Sequence, residues 1–389
     1  MPPVLTLLFL LVTSPVAVLA RPARCNRTNG VGKGKYTITN DKVNAVVAVP
    51  ISSNGMLSGR ISISTGGAGS NFFDSTTNGP AAPDALASQS ALTIAGTKLF
   101  VVNAGSNTMT MFAIDQSNPT KLTMSLGNFP IQSLRRKKNS LVCVGSSGTK
   151  SGISCINFSK NGVGAMDMLR SVDLNRITPP SGPTNTIPQA FFSNDESTLL
   201  ATLNGVPDLK KTEFPVAYQV ESGWKSTSVS QRGVRSSPNG TAVLFGSFTI
   251  PNTNDIFTTN ASFGGAILPL DGQTTVSSLK GMAAVGGQKA TSTNTAFVTD
   301  VRTNKLVEIS LTDASIKSTL DLSANGDPGL TDLKAAGKFV YALSPGNGTR
   351  QPAITVVDTV GKSISNLKSL GLERMLKGWF YHSKATWLV

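Results

Sequence analysis

One histidine, His382, and three cysteines, Cys25, Cys143 and Cys155, occur in 389 residues. That scarcity excludes much of the chemistry a sequence can announce. Three cysteines at this spacing, with no histidine near them, cannot build a four-ligand zinc site. No Gly-x-Ser-x-Gly elbow has a usable histidine to serve it. Charged residues make up 14% and aromatics 6% of the chain. After residue 20 no apolar run approaches the length needed to cross a bilayer, and no window carries the period of a long amphipathic helix.

What remains is strand and turn. Gly (37) and Pro (21) are plentiful, and Ser, Thr and Asn fill the segments between short apolar stretches. "TAFVTDVRTNKLVEISL" alternates up to Val298, breaks at "DVRTNK" and resumes at Leu306, which reads as a hairpin. The same phrase starts at Tyr36, Leu99, Leu141, Leu199, Ala242, Ala296 and Val340. The intervals sit at or somewhat above the roughly 40–50 residues of a propeller blade. Short strands and turns such as "ALTIAGTK", "AFFSNDES", "VRSSPNGT" and "DLKAAGK" precede most of the hairpins. The expected fold is all-β: a single seven-bladed β-propeller over residues 36–365, its edges protected by repetition.

The ends read differently. "MPPVLTLLFLLVTSPVAVLA" has an apolar stretch from Val4 to Val12, then Pro15 and small residues up to Ala20. This is the pattern of a secretory signal peptide over residues 1–20, cleaved after Ala20. Residues 21–35 form an N-terminal segment. Residues 366–389, with two of the three Trp and the only His, form a divergent tail beyond the propeller. The expected location is extracellular, with association to a cell wall open to it. No lipid-anchor signal closes the chain.

Secretion gives several residues a second meaning. Five Asn-x-Ser/Thr sequons, at Asn26, Asn157, Asn239, Asn260 and Asn347, become candidate glycan acceptors. Cys143 and Cys155 flank a Gly/Ser turn in "SLVCVGSSGTKSGISCINF", where opposed strand positions are close enough for a disulfide. Cys25 is then left over, free or paired with another chain. Lys and Arg number 35 against 21 Asp and Glu, a formal net charge of +14. Such a protein is drawn to anionic glycans or extracellular matrix, an attraction that salt weakens. The densest cluster, Arg135, Arg136, Lys137 and Lys138, is either a solvated turn between blades or a docking patch; Lys210 and Lys211 form a second basic loop. Nucleic acid does not fit, because no recognisable binding module is present. "GVGKGK" and "GGAGS" lack the Walker pattern, and "SANGDPG" lacks the alternating carboxylates of a calcium loop. No metal or cofactor is called for.

Many phrases together, among them "NAVVAVPI", "NAGSNTMTMF", "RSSPNGTAVLFGS", "NASFGGAIL", "EISLTDASI" and "FVYALSPGNGT", resemble secreted fungal proteins described as 3-carboxymuconate cyclase-like. That group is related to the propeller lactonases and muconate lactonising enzymes. The resemblance spans nearly all of residues 36–358. It implies a seven-bladed propeller and two roles: chemistry on small carboxylated lactones or muconates, and service as a cell-surface glycoprotein or adhesin. It also implies a catalytic histidine on an inner strand, with Arg and Glu nearby. Here "IPQAFFSNDES" puts Gln189 at that place, and an amide is no general base near neutral pH. The remaining candidates for the channel wall are Gln89, Gln189, Arg235, Lys289 and Asp332. They either hydrate the channel or hold a small acidic ligand in it.

Overall fold

A computed structural model describes residues 32–388 except 75–77, 82–85, 87, 126–139, 183, 206–213, 224–225, 237–242, 254, 261–263, 271–276, 280–284, 291–293, 347–349, 362 and 368–383. The first sheet contains β1 (Gly34–Ile38), β2 (Ala45–Pro50) and β3 (Ile61–Ser64), followed by a small hairpin, β4 (Phe73–Asp74) with β5 (Gly79–Pro80). The second holds β6 (Leu92–Ala95), β7 (Lys98–Asn103), β8 (Thr108–Ile114) and β9 (Leu122–Ser125). The third holds β10 (Leu141–Ser147), β11 (Ser151–Ser159), β12 (Gly162–Met166) and β13 (Arg170–Ser171).

The fourth is built from β14 (Gln189–Phe192), β15 (Thr198–Leu203), β16 (Phe214–Ser222) and β17 (Thr227–Arg235). The fifth comprises β18 (Leu244–Thr249), β19 (Asp255–Asn260), β20 (Gly264–Pro269) and β21 (Ser277–Leu279). The sixth comprises β22 (Val285–Ala290), β23 (Thr295–Asp300), β24 (Lys305–Ser310) and β25 (Ile316–Asp321). The seventh comprises β26 (Asp332–Ala336), β27 (Phe339–Ser344), β28 (Ala353–Asp358) and β29 (Ser363–Leu367). A last strand, β30 (Lys384–Leu388), returns to the first sheet.

All seven four-stranded sheets are antiparallel. Their middle strands are buried on both faces: "FVYALS" in β27 is buried throughout, and "AITVVD" in β28 nearly so. Outer strands lose that cover, and every residue of β25 but Leu320 is exposed.

Each face packs on the next sheet. Leu99, Val101 and Phe112 of the second sheet meet Tyr36, Val46 and Ala48 of the first. Phe100 and Met111 meet Val142 and Phe158 of the third, with the Phe100 and Phe158 rings 4.8 Å apart edge to face. The pattern continues through Leu141, Ile153 and Leu199, Leu200 and Ile256, Phe257 and Val298, and Leu306 and Val340. It closes where Phe339, Tyr341 and Ile354 of the seventh sheet meet Val47, Val49 and Leu57 of the first. Sheets stacked face to face in a closed ring make a β-propeller.

Two features depart from the sequence reading. The segment 366–389, set outside the propeller, contributes β30, whose backbone pairs with β1 from Lys35↔Leu388 to Ile38↔Lys384. Pairing there satisfies an edge of β1 that would otherwise stay open. The fourth-to-fifth boundary is also shifted by a strand: "VRSSPNGT" supplies the end of β17, and the fifth sheet begins at Leu244.

The closing seam carries a buried charge. Lys35 is fully buried, its ammonium 3.3 Å from the Tyr341 carbonyl oxygen and 5.7 Å from the centre of the Tyr341 ring. The Tyr341 hydroxyl donates to Gly55 O at 2.9 Å. Gly55 has φ +83°, and a Cβ there would sit 2.4 Å from the Phe339 ring.

Burial holds the Lys35 pKa well below 10.5; Asp332 opposes the shift and Lys334 adds to it. The folded state therefore gives up this proton before the unfolded chain does, and stability rises with pH through the window that ends near 10.5. Lys35→Met keeps the bulk and removes the charge. It is expected to flatten that alkaline rise and to add on the order of 1 kcal/mol at neutral pH, read from urea unfolding curves at several pH values.

A polar cavity at the centre of the ring

The innermost strands, β30 in the first sheet and the first strand of each other sheet, face the axis, and a cavity of about 620 Å3 lies among β6, β10, β14, β18 and β26. That is within the range of small-molecule sites. Its wall includes Gln89, Thr93, Gln189, Ser247, Asp332 and Lys334, with Phe191, Phe192 and Phe248 as apolar surface. Two long connections meet beside it. Phe73 N donates to Pro180 O at 2.8 Å and Gly182 N to Phe73 O at 2.8 Å, while Gln89 N donates to Pro188 O at 2.9 Å.

Three of the five channel candidates share this wall. Asp332 opens β26 opposite Leu343 and is buried; its neighbour two positions on, Lys334, faces the cavity with it. Gln89 is buried just before β6. Gln189 starts β14, and its amide is occupied at both ends: Nε2 donates to Ser247 O at 2.9 Å, and Oε1 accepts from Ser247 N at 2.5 Å. The side chain thus bridges the fourth and fifth sheets as a strand backbone would.

Lys289 lies on β22 opposite Phe297. Arg235 does not reach the channel. It ends β17, the outermost strand of the fourth sheet, opposite Val216 and exposed. The "VR" of "VRSSPNGT", expected to open a sheet as an inner strand, instead closes the outer strand of the sheet before it. Lys35 and Lys334 went unnoticed in the sequence, although the alternation of "DLKAA" places Lys334 on the same side as Asp332.

The glycan candidates also separate. Asn260 is completely buried at the end of β19, its Oδ1 accepting from Val243 N at 3.3 Å. A glycan there is incompatible with the fold. Asn103 at the end of β7 and Asp300 at the end of β23 occupy the same place in their sheets and are also buried. Asn103 uses its carboxamide fully, accepting from Asn44 and Thr65 and donating to Thr108 and Thr110. Asn260 thus takes the place of a buried polar residue that recurs at the end of the second strand of a sheet. Asn157 sits mid-sheet in β11 and donates to Thr227 O at 3.1 Å, a poor surface acceptor. Asn26, Asn239, Asn347, Cys25, His382, Arg135 to Lys138, Lys210 and Lys211 lie outside the described residues.

Cys143 and Cys155 pair directly across β10 and β11 and form a disulfide. Among the described residues no group of three acidic, Cys or His side chains could hold a metal ion, and no helix is long and apolar enough to cross a membrane.

The molecule is a β-propeller. No protein-family model matches the chain, and no curated protein matches it. Among solved structures, a candidate 6-phosphogluconolactonase from Bacteroides fragilis is similar with a TM-score of 0.52 at 10% identity, over 90% of this chain and 96% of that one. Apo AztD from Citrobacter koseri gives 0.48 at 10% identity over 91% and 97%. The WD40 β-propeller domain of Doa1 gives 0.46 at 10% identity over 71% and 81%. At this identity the B. fragilis likeness shows a shared fold and no more.

Two substitutions check these placements. Gln189→Ala leaves the Ser247 N–H and C=O without their partner and is expected to cost about 1–3 kcal/mol in chemical denaturation. Asn260→Gln is expected to destabilise the protein while leaving the mass released by an N-glycosidase unchanged; a loss of released mass would mean that Asn260 carries a glycan and is not buried.

Proposed function

We propose that the protein is a secreted recognition propeller that engages anionic extracellular glycans or matrix, and that its channel has lost lactonase-type chemistry. The observation that carries this reading is Gln189. It stands where the resemblance to the lactonising group implies a catalytic histidine, and its amide is consumed in bridging two sheets. The net charge of +14, the signal-peptide pattern of residues 1–20 and the Cys143–Cys155 bridge support the compartment and the type of partner. Rigid sheets holding variable loops are a common platform for recognition.

A second reading has its own support. Asp332 and Lys334 stand together on the cavity wall, a pairing that could hold and protonate a small carboxylated lactone or muconate. Here the resemblance to 3-carboxymuconate cyclase-like proteins would extend to activity.

Retention on a heparin column separates the two. Elution is expected to need less salt after Arg135, Arg136, Lys137 and Lys138 are all replaced by Ser, with the unfolding midpoint unchanged. Exposed charges lose reach as the Debye length falls from about 10 Å at 0.1 M salt to about 3 Å at 1 M. Retention indifferent to both salt and substitution would end the recognition reading. Turnover of carboxymuconate or a simple lactone, abolished by Asp332→Asn, would install the second one.

A further inference from the structure

We propose that the Cys143–Cys155 bridge is a thiol-exchange site, opened from the central cavity by a small thiol that attacks Cys143. The two sulfurs differ in access. Cys143 lies on β10, is half-buried and lines the cavity. Cys155, on β11, is 1% exposed and packs among Leu141, Ile153, Leu199 and Tyr218, a cluster whose edge Cys143 also touches. The strands pair directly at these residues. A thiolate attacks the disulfide sulfur it can reach. β10 borders the cavity, whereas β11, which carries Cys155, is flanked on its far side by β12 and β13.

The departing sulfur has a prepared environment. Arg170 is buried beside it, with Nη1 3.9 Å from the Cys155 sulfur. Its donors are held in place: Nη1 and Nη2 bond the Asp167 carboxylate at 3.0 and 2.7 Å, Nη1 also reaches Ile153 O at 3.5 Å, and Nε and Nη2 reach Ser230 O and Val229 O. Asp167 Oδ1 also accepts from Cys155 N at 2.7 Å. The charges of Arg170 and Asp167 offset one another, so the gain is an oriented N–H donor for the thiolate rather than a positive field.

The step balances. An incoming thiolate forms a bond to the Cys143 sulfur, the S–S bond breaks, and its electron pair leaves on Cys155 as a thiolate hydrogen-bonded by Arg170. The products are a mixed disulfide at Cys143 and a free Cys155, with no net oxidation. A cavity of about 620 Å3 has room for a small peptide thiol.

The test uses the folded full-length protein in a Cys25→Ser background, so that no third thiol competes. It is incubated with reduced glutathione, quenched with acid, alkylated with N-ethylmaleimide and digested. Mass spectrometry is expected to find glutathione on Cys143 and maleimide on Cys155, at least tenfold over the reverse arrangement. Thioredoxin, too large for the cavity, should open the bridge at least tenfold more slowly than glutathione at equal thiolate concentration. Arg170→Gln is expected to slow exchange severalfold; if that variant does not fold, the position of the adduct in the Cys25→Ser protein decides alone. Glutathione on Cys155, equal rates for the small and large thiols, or exchange only above the unfolding midpoint in urea would each overturn the proposal.

Discussion

A sheet with two apolar faces has to be covered on both, and that constraint organises this molecule. Each sheet here presents buried residues to either side, so a linear stack would leave its two terminal faces in water. Closing the stack into a ring removes both faces at once. The contact of Phe339, Tyr341 and Ile354 with Val47, Val49 and Leu57 is the closure, and it joins residues some three hundred positions apart. The bond from Lys35 to the Tyr341 carbonyl, the bond from Tyr341 to Gly55 O and the pairing of β1 with β30 all lie at that junction. Burying a charge at the junction opposes folding, so the alkaline rise in stability expected from Lys35 belongs to this place.

The cavity follows from the same closure. Innermost strands brought round an axis leave a central space whose wall mixes polar side chains such as Gln189 and Asp332 with apolar ones such as Phe191 and Phe248. Gln189 shows how such edges are managed: its carboxamide meets the N–H and C=O of Ser247, joining two sheets that no ladder connects. A residue engaged in that way has little left for a ligand. Asp332 and Lys334 meet the cavity from the seventh sheet.

Much of the fold was legible because the signals are local. Hairpins such as "TAFVTDVRTNKLVEISL" carry their own alternation and turn, and repetition along the chain implied a ring. Seven such hairpins were expected, and the described residues form seven four-stranded sheets. The bridge of Cys143 to Cys155 was readable for the same reason, since both residues belong to one hairpin. Reading failed where one strand had to be told from another. Arg235 sits in a stretch that reads equally well as an outer or an inner strand, and only packing showed it to be outer. Asn260 matched a glycan sequon by chemistry, yet like Asn103 and Asp300 at the same place in their sheets it is a buried strand end.

The sequence alone determined the all-β class, the repeating hairpin, the disulfide pair and the cationic balance, because periodicity, turn residues, proximity along the chain and charge need no partner at a distance. Tertiary structure alone decided which polar groups meet. Lys35, Asp332 and Lys334 come from opposite ends of the chain, Gln189 and Ser247 from different sheets, and β30 from a tail with no repeat signal. Long-range contacts of this kind are fixed by ring closure, and no local pattern of residues records where the ring will shut.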